Sequence, residues 1–292
     1  MDIVITYVNG QDPVWREAYA SRVGKEINPK HFRDWETLRY LLRGIEKHMS
    51  FVRNVYLVVS GETQVPEWAD TDNLRIVFHR DIIPGRFLPV FNSTAIEMFL
   101  HRIPGLDEEF LYLNDDCFPV RDCRPEYFFR DGRAAASFRR HLFADGMYKR
   151  HCRGGDRLAR EAAGLARSPF FRRPQHACGA LLRSVCEELY ALRGDRIEAS
   201  VSPVRREDNF NFYLFTDYAR YTGRTFDRKV SNRHFSLAVA TPERICRFLE
   251  APTADFACIN DVNMSRAKFI LFKDWLLEGF DRAFPDKSRF EL

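Results

Sequence analysis

No apolar run in the 292 residues approaches the ~18 that a bilayer-spanning helix needs, so no membrane span is expected. The chain passes from Met1 directly into DIVITYV, without a basic leader or a small-residue cleavage site, and no secretory signal is expected. Its seven cysteines are odd in number, scattered, and include no C-x-x-C pair. That pattern speaks against a disulfide framework or a zinc knuckle and suits a reducing cytoplasm, with most of the thiols serving as small core residues. Internal repeats, low-complexity runs and flexible linkers are also missing, so one domain is expected. None of the usual nucleic-acid-binding signatures occurs, and no nucleic-acid partner is expected.

What is present is the composition of a globular protein with a substantial core: 45% hydrophobic and 29% charged residues. The net charge of +4 is modest but uneven, with ten Lys/Arg against three Asp/Glu between Arg139 and Arg173. Such a stretch is a solvated face, or a contact for an anionic acceptor or a membrane surface.

Periodicity alternates between strand and helix. DIVITYVNG (2–10) reads as a β-branched strand ending in an Asn-Gly turn, VRNVYLVVSG (52–61) as a second strand and LRIVFH (74–79) as a third. Asp34 is placed to cap a helix carrying Trp35, Leu38, Leu41, Leu42 and Ile45. Ser93 or Thr94 starts another, with Ile96, Phe99, Leu100 and Ile103 inward, Thr94 and Glu97 at capping-box spacing, and Pro104-Gly105 as its stop. FLYLNDD is the next strand. Further on, 175–194 and 208–224 read as helices, FACIND (256–261) as a strand, and about 265–280 as an amphipathic helix before a polar tail. The expected class is α/β: a mainly parallel, Rossmann-like sheet flanked by helices, with a helical insertion and a more helical C-terminal half.

Asn114, Asp115 and Asp116 end a buried strand. Asn-Asp-Asp is an ordinary turn composition, yet carboxylates at such a tip are costly unless paired, hydrogen-bonded or metal-bound. In open α/β sheets ligands sit beyond the carboxyl ends of the strands, where Asn9-Gly10 and Asn114-Asp115-Asp116 both fall. A site is therefore favoured over a turn.

Four blocks stand out: DIVITYVNGQDPVW; HFRDWETLRYLLRGIEKHMSFVRNVYLVVSG continuing through LPVFNSTAIEMFLHRIPGLDEEFLYLNDD; RPQHACGALLRSVCEELY with VRREDNFNFYLF; and FACIND. This series resembles the Stealth family of sugar-1-phosphate transferases, which includes bacterial capsule polymerases, and the resemblance covers almost the whole chain outside 121–173. It implies a GT-A-like catalytic domain: a nucleotide-sugar-binding half over 1–120, a variable basic insertion over 121–174 and a catalytic half over 175–292. It also implies a UDP-sugar donor such as UDP-GlcNAc or UDP-ManNAc, an oligo- or polysaccharide acceptor, and transfer of sugar and phosphate together with release of UMP. Capsular or exopolysaccharide synthesis is the expected setting, in the cytoplasm or peripherally at the inner membrane face beside capsule machinery.

A diphosphate donor calls for Mg²⁺ or Mn²⁺ on hard oxygen ligands. Asp115 and Asp116 are the candidates, with Asp261 converging from the fourth block; Asp116 is alternatively the base for the acceptor hydroxyl. His176 matches the family's catalytic histidine, as general base or phosphate ligand, against an ordinary structural role. Arg205 matches the family's arginine, with Arg206 beside it; a guanidinium fork suits phosphoryl oxygens, and a surface pair with Glu207 or Asp208 is the plainer reading. Asp2 matches the family's leading acidic position, near the nucleotide or purely structural. Asn9 and Gly10 can bring backbone N–H groups to a base or phosphate. Asn92 and Ser93 are candidate sugar contacts, Glu97, His101 and Arg102 could line one edge of the crevice, and Asn114 and Asn260 stand beside the acidic groups. Arg39 and Arg43, at helical spacing, face the nucleotide phosphates or solvent.

The fourth block reads CINDV where an additional acidic residue is common in the family, so fewer carboxylates are expected around the ion. Two other readings stand beside the leading one: a metal-dependent glycosyltransferase releasing UDP, and a non-catalytic carbohydrate- or polyanion-binding protein built on the basic stretch and the 14% aromatics.

Overall fold

Strands β1 (Asp2–Thr6), β2 (Val55–Val59), β3 (Leu74–Phe78) and β4 (Glu109–Asn114) run parallel in a computed structural model that describes residues 1–25, 27, 32–175 and 177–292. A fifth segment, Gly179–Leu182, pairs antiparallel with β4, giving the order Gly179–Leu182, β4, β1, β2, β3. β2 is buried along its whole length, as a central strand covered on both faces must be, and its VYLVV is accordingly apolar throughout. β3, at the edge, is only partly buried, with Leu74 and Val77 inside and Arg75 exposed.

The chain builds β1, β2 and β3 outward in one direction, then returns to place β4 on the other flank of β1. The carboxyl ends of β1 and β4 therefore flank a topological switch point, where an open α/β sheet leaves a crevice. Register puts Thr6 opposite Asn114, so the residues following both strands emerge side by side.

β5 (Cys117–Pro119) turns out of this sheet and pairs antiparallel with Phe256–Asn260, which pairs parallel with Asn232–Ser236. The Leu38–His48 helix packs directly on β5: a Cβ at Gly44 would lie 2.6 Å from the Pro119 carbonyl oxygen, so glycine is needed for that approach. In the basic stretch, Phe138–His141 pairs with Phe171–Pro174, and between them the Met147–Ala162 helix buries Cys152, Leu158 and Ala159 beside the Tyr213–Tyr221 helix. One hydrophobic cluster extends from Ile3 to Phe290, and a smaller one gathers Trp15, Tyr19 and Phe91. All seven cysteines are buried, and none is joined in a disulfide. Among the described residues no helix is long and apolar enough to cross a membrane.

Several elements differ from expectation. The helix expected over 175–194 is a strand at Gly179–Leu182 followed by a helix at Arg183–Ser200: GALL is too short for periodicity to separate the two states, and pairing with β4 decides. Gly194 does not stop that helix, which kinks at Arg193 and runs on. The helix expected over 93–103 is one turn at Ser93–Glu97 plus a 3₁₀ turn at Leu100–Arg102, and 208–224 narrows to Tyr213–Tyr221. Asp34 caps no helix: Glu36 has φ 58°, outside helical geometry, and the helix starts at Leu38. The polar C-terminal tail packs down, with Glu291 paired to Arg43.

Candidate active site

Beyond the ends of β1 and β4 lies a crevice of about 850 Å³. Its floor is acidic. Asn114, Asp115 and Asp116 reach it from β4, Tyr7 from the end of β1, and Asp34 from the segment leading to the Leu38–His48 helix. The Tyr7 hydroxyl donates to Asp34 Oδ2 at 2.9 Å, and the Glu36 N–H to Asp34 Oδ1 at 2.7 Å. Desolvation, then the Asp116 and Asp34 charges, push the Asp115 carboxyl up to about 8. Burial likewise raises Asp34.

The turn into β5 brings the fourth block alongside. The Ile259 N–H donates to the Asp116 carbonyl at 2.9 Å, which sets Asn260 Nδ2 2.9 Å from Asp116 Oδ2. Asp261 also lines the crevice, but both of its oxygens accept from Arg33 Nη1, at 3.1 and 3.2 Å. Among the described residues no three His, Cys, Asp or Glu side chains are gathered as a metal site. Asp115, Asp116 and Asp261 thus share the crevice without forming a preassembled triad, because Asp261 is committed to Arg33. An Asp pair still fits Mg²⁺, which is typically held by one or two carboxylates and completed by substrate phosphates. The charge crowding that raises Asp115 is what a bound cation would relieve.

Another wall is built on the Ser93–Glu97 turn. Asn92 caps it, accepting from the Thr94 N–H at 3.2 Å and donating to Asn209 Oδ1 at 2.9 Å. Glu97 does not close a capping box with Thr94; it accepts from the Phe212 N–H at 2.9 Å and the Tyr112 hydroxyl at 3.3 Å. Arg205 Nη2 donates to Ser93 Oγ at 2.7 Å, and Arg205 is exposed at the crevice. Arg206 turns away to chelate Asp208.

Other expected site residues are not brought here. Asp2 sits at the amino end of β1, the far end of the sheet, where its buried carboxylate accepts from Arg53, Asn54 and the Asp107 N–H. Asn9 and Gly10 shape the loop below: Asn9 accepts from the Gln11 N–H, and a Cβ at Gly10 would stand 2.2 Å from the Phe32 carbonyl oxygen. Arg39 lies over the Trp68 ring, and Arg43 chelates Glu291. His101 is buried against Tyr190 and Phe215, its pKa pushed down to about 4 by desolvation, while Arg102 covers Tyr190. His176 lies outside the described residues.

Residues that periodicity did not single out complete the site. Trp15, Tyr19, Phe32 and Phe91 form an aromatic wall, with Trp15 and Phe91 edge-to-face at 5.3 Å. His151 and Tyr148 enter from the Met147–Ala162 helix and Tyr7 from the end of β1, where it meets Asp34, expected only as a helix cap. The Trp and Phe in the first two blocks are a sequence-level hint of the wall; nothing local marks His151.

Residues 31–136 match the family model described as Stealth protein CR2, conserved region 2. All of the chain aligns with a receptor polysaccharide phosphotransferase, WefC, of Streptococcus oralis, at 28% identity over 99% of that protein. An exopolysaccharide phosphotransferase, SCO2594, of Streptomyces coelicolor is 31% identical over the whole of this chain, which spans 51% of that protein's length. The chain belongs to the Stealth family. A solved structure of the galactosyltransferase LgtC with donor and acceptor sugar analogs overlaps 99% of this chain and 98% of its own, at 12% identity and a TM-score of 0.45. The Stealth match contains Asp34, Asn92, Glu97, Asp115 and Asp116. His151, Arg205, Asn260 and Asp261 lie beyond it and join these residues through the fold.

Proposed function

We propose that this protein transfers a sugar 1-phosphate from a UDP-sugar, UDP-GlcNAc or UDP-ManNAc, to a saccharide hydroxyl, releasing UMP, in capsular or exopolysaccharide synthesis. The observation that carries the reading is the Asp115–Asp116 pair at the β1/β4 switch point, sharing one crevice with Arg205, in a chain whose curated relatives are named polysaccharide phosphotransferases. The acceptor oxygen attacks the sugar-linked phosphorus, the bond from that phosphorus to the bridging oxygen breaks, and UMP leaves with the bridging oxygen. Arg205 clasps the transferred phosphoryl group, its fork matching two phosphoryl oxygens. Asp116 or His176 takes the hydroxyl proton. Asp115 and Asp116 would hold Mg²⁺ or Mn²⁺, which when bound supplies charge neutralisation on the diphosphate and the departing UMP. The seven buried cysteines, none in a disulfide, support a reducing compartment, and we place the reaction in the cytoplasm, peripherally beside membrane-bound capsule machinery.

The test is a donor carrying ³²P in its sugar-proximal phosphate. Phosphotransfer puts the label in a phosphodiester and leaves unlabelled UMP. A glycosyltransferase breaks the anomeric C–O bond instead, and label recovered in UDP would overturn the assignment. Donor binding without turnover would leave a carbohydrate-binding protein.

A further inference from the structure

The ten Lys/Arg between Arg139 and Arg173 suggest an anionic partner, yet none of them lines the crevice. Lys149 pairs with Asp145, Arg150 with Glu207 and Arg160 with Asp156, while Arg140 stacks on Phe170. What this stretch offers the crevice is uncharged: Met147, Tyr148 and His151, on one face of the Met147–Ala162 helix.

His151 is 2% exposed, and its Nε2 lies 2.6 Å from the Arg206 carbonyl oxygen. A carbonyl can only accept, so Nε2 carries the proton and Nδ1 of the neutral ring is an acceptor. Burial favours that neutral ring; the hydrogen bond to the Arg206 carbonyl opposes it, the nearby Arg205 charge reinforces it, and the Asp208 and Glu207 charges oppose it. No hydrogen bond engages Nδ1 among the described residues. A second neutral acceptor lines the same crevice. Asn211 lines the crevice at 5% exposure, its side chain meets the Cys152 thiol, and its Oδ1 has no partner among the described residues. A crevice lined by two neutral acceptors calls for a ligand that brings donors. A carboxylate or phosphate dianion brings none, whereas a sugar brings several hydroxyls.

We propose that the saccharide acceptor docks against the Met147–Ala162 helix through uncharged hydroxyls, one donating to His151 Nδ1 and another to Asn211 Oδ1. The site rests on the phosphotransfer reading and adds to it the acceptor's chemical class and position. The acid-rich floor is left to the donor diphosphate, and Arg205 lines the same crevice within electrostatic reach of His151.

The experiment compares His151→Gln and Asn211→Ala with the unaltered protein, using UDP-GlcNAc as donor and methyl N-acetylglucosaminide as neutral acceptor. Methyl glucuronide serves as the anionic control. Each lost hydrogen bond should raise the acceptor KM about three- to tenfold, with donor KM and UMP affinity unchanged. Gln can still donate to the Arg206 carbonyl, so retained UMP binding certifies the fold. Unchanged acceptor KM in both variants overturns the site, as does preference for the glucuronide. Loss of UMP binding in both variants would make the two residues structural, again overturning it. Absence of transfer by the unaltered protein from either UDP-GlcNAc or UDP-ManNAc would instead defeat the phosphotransfer reading itself.

Discussion

Glu97→Ala should destabilise the protein by about 2–4 kcal/mol, whereas Glu97→Gln should cost less than about 1 kcal/mol. The sequence suggests a substrate contact at Glu97, but the side chain is 6% exposed and points into the frame. Its carboxylate bridges the Ser93–Glu97 turn to the Phe212 N–H, a donor on a residue itself 4% exposed. Water cannot replace the lost acceptor there, and a buried donor left unpaired costs about 1–3 kcal/mol. The Tyr112 hydroxyl loses less, since Thr6 Oγ1 and Asn114 Oδ1 both lie 3.0 Å away. The void left by the carboxyl adds about 1 kcal/mol. Glutamine keeps an acceptor for Phe212 at nearly the same volume, and it spares the burial that holds this carboxyl above its ordinary range. Urea unfolding followed by tryptophan fluorescence, with UMP titration as the functional control, separates the outcomes. If Glu97→Ala unfolds at the wild-type midpoint while losing UMP binding, Glu97 contacts the ligand and the framing argument is wrong. Equal destabilisation by Gln and Ala would also refute it.

Asp116→Asn should cost ~10²–10⁴ in turnover with the melting temperature preserved, and chelation should abolish activity without unfolding; full turnover in EDTA after confirmed metal removal contradicts the ion's role. Arg205→Ala should lower turnover about 10–100-fold, as expected for a lost charge-assisted contact, while Arg206→Ala, which frees only an exposed pair with Asp208, should stay near normal; equal losses in steady-state assays would contradict the division. Asp217 is fully buried, with neither oxygen hydrogen-bonded among the described residues, and desolvation and then Asp156 hold its carboxyl well above 3.8. Folded Asp217 therefore keeps its proton after the unfolded chain has lost it, so stability should fall as pH rises from about 4; Asp217→Asn should raise the melting temperature at pH 8 more than at pH 5, and parallel pH slopes would sink this account.

The alternation of β-branched runs with amphipathic stretches was enough to specify an α/β sheet, because each strand and crossover helix is written in a local pattern. Asp115 and Asp116 were legible for the same reason: a buried run that ends in carboxylates marks a strand tip wherever the strand is placed. Arg205 and the family blocks were likewise carried by contiguous residues. What no local pattern contains is which strand lies beside which. Only the return of β4 to the flank of β1 turns Thr6 and Asn114 into neighbours and leaves Asp2 at the opposite end of the sheet. The pairing of β5 with Phe256–Asn260 sets Asn260 against Asp116, and Arg33 then removes Asp261 from the shared acidic set. Gly179–Leu182 becomes a strand because β4 offers an open edge, against a sequence that continues smoothly into a helix. His151 reaches the crevice from a stretch that its charge makes look like solvated surface, since helix packing buries one face and composition averages over all of them. Local sequence encodes propensity and burial, whereas a site is made by pairings between residues a hundred or more positions apart, and those are decided only when the whole core closes.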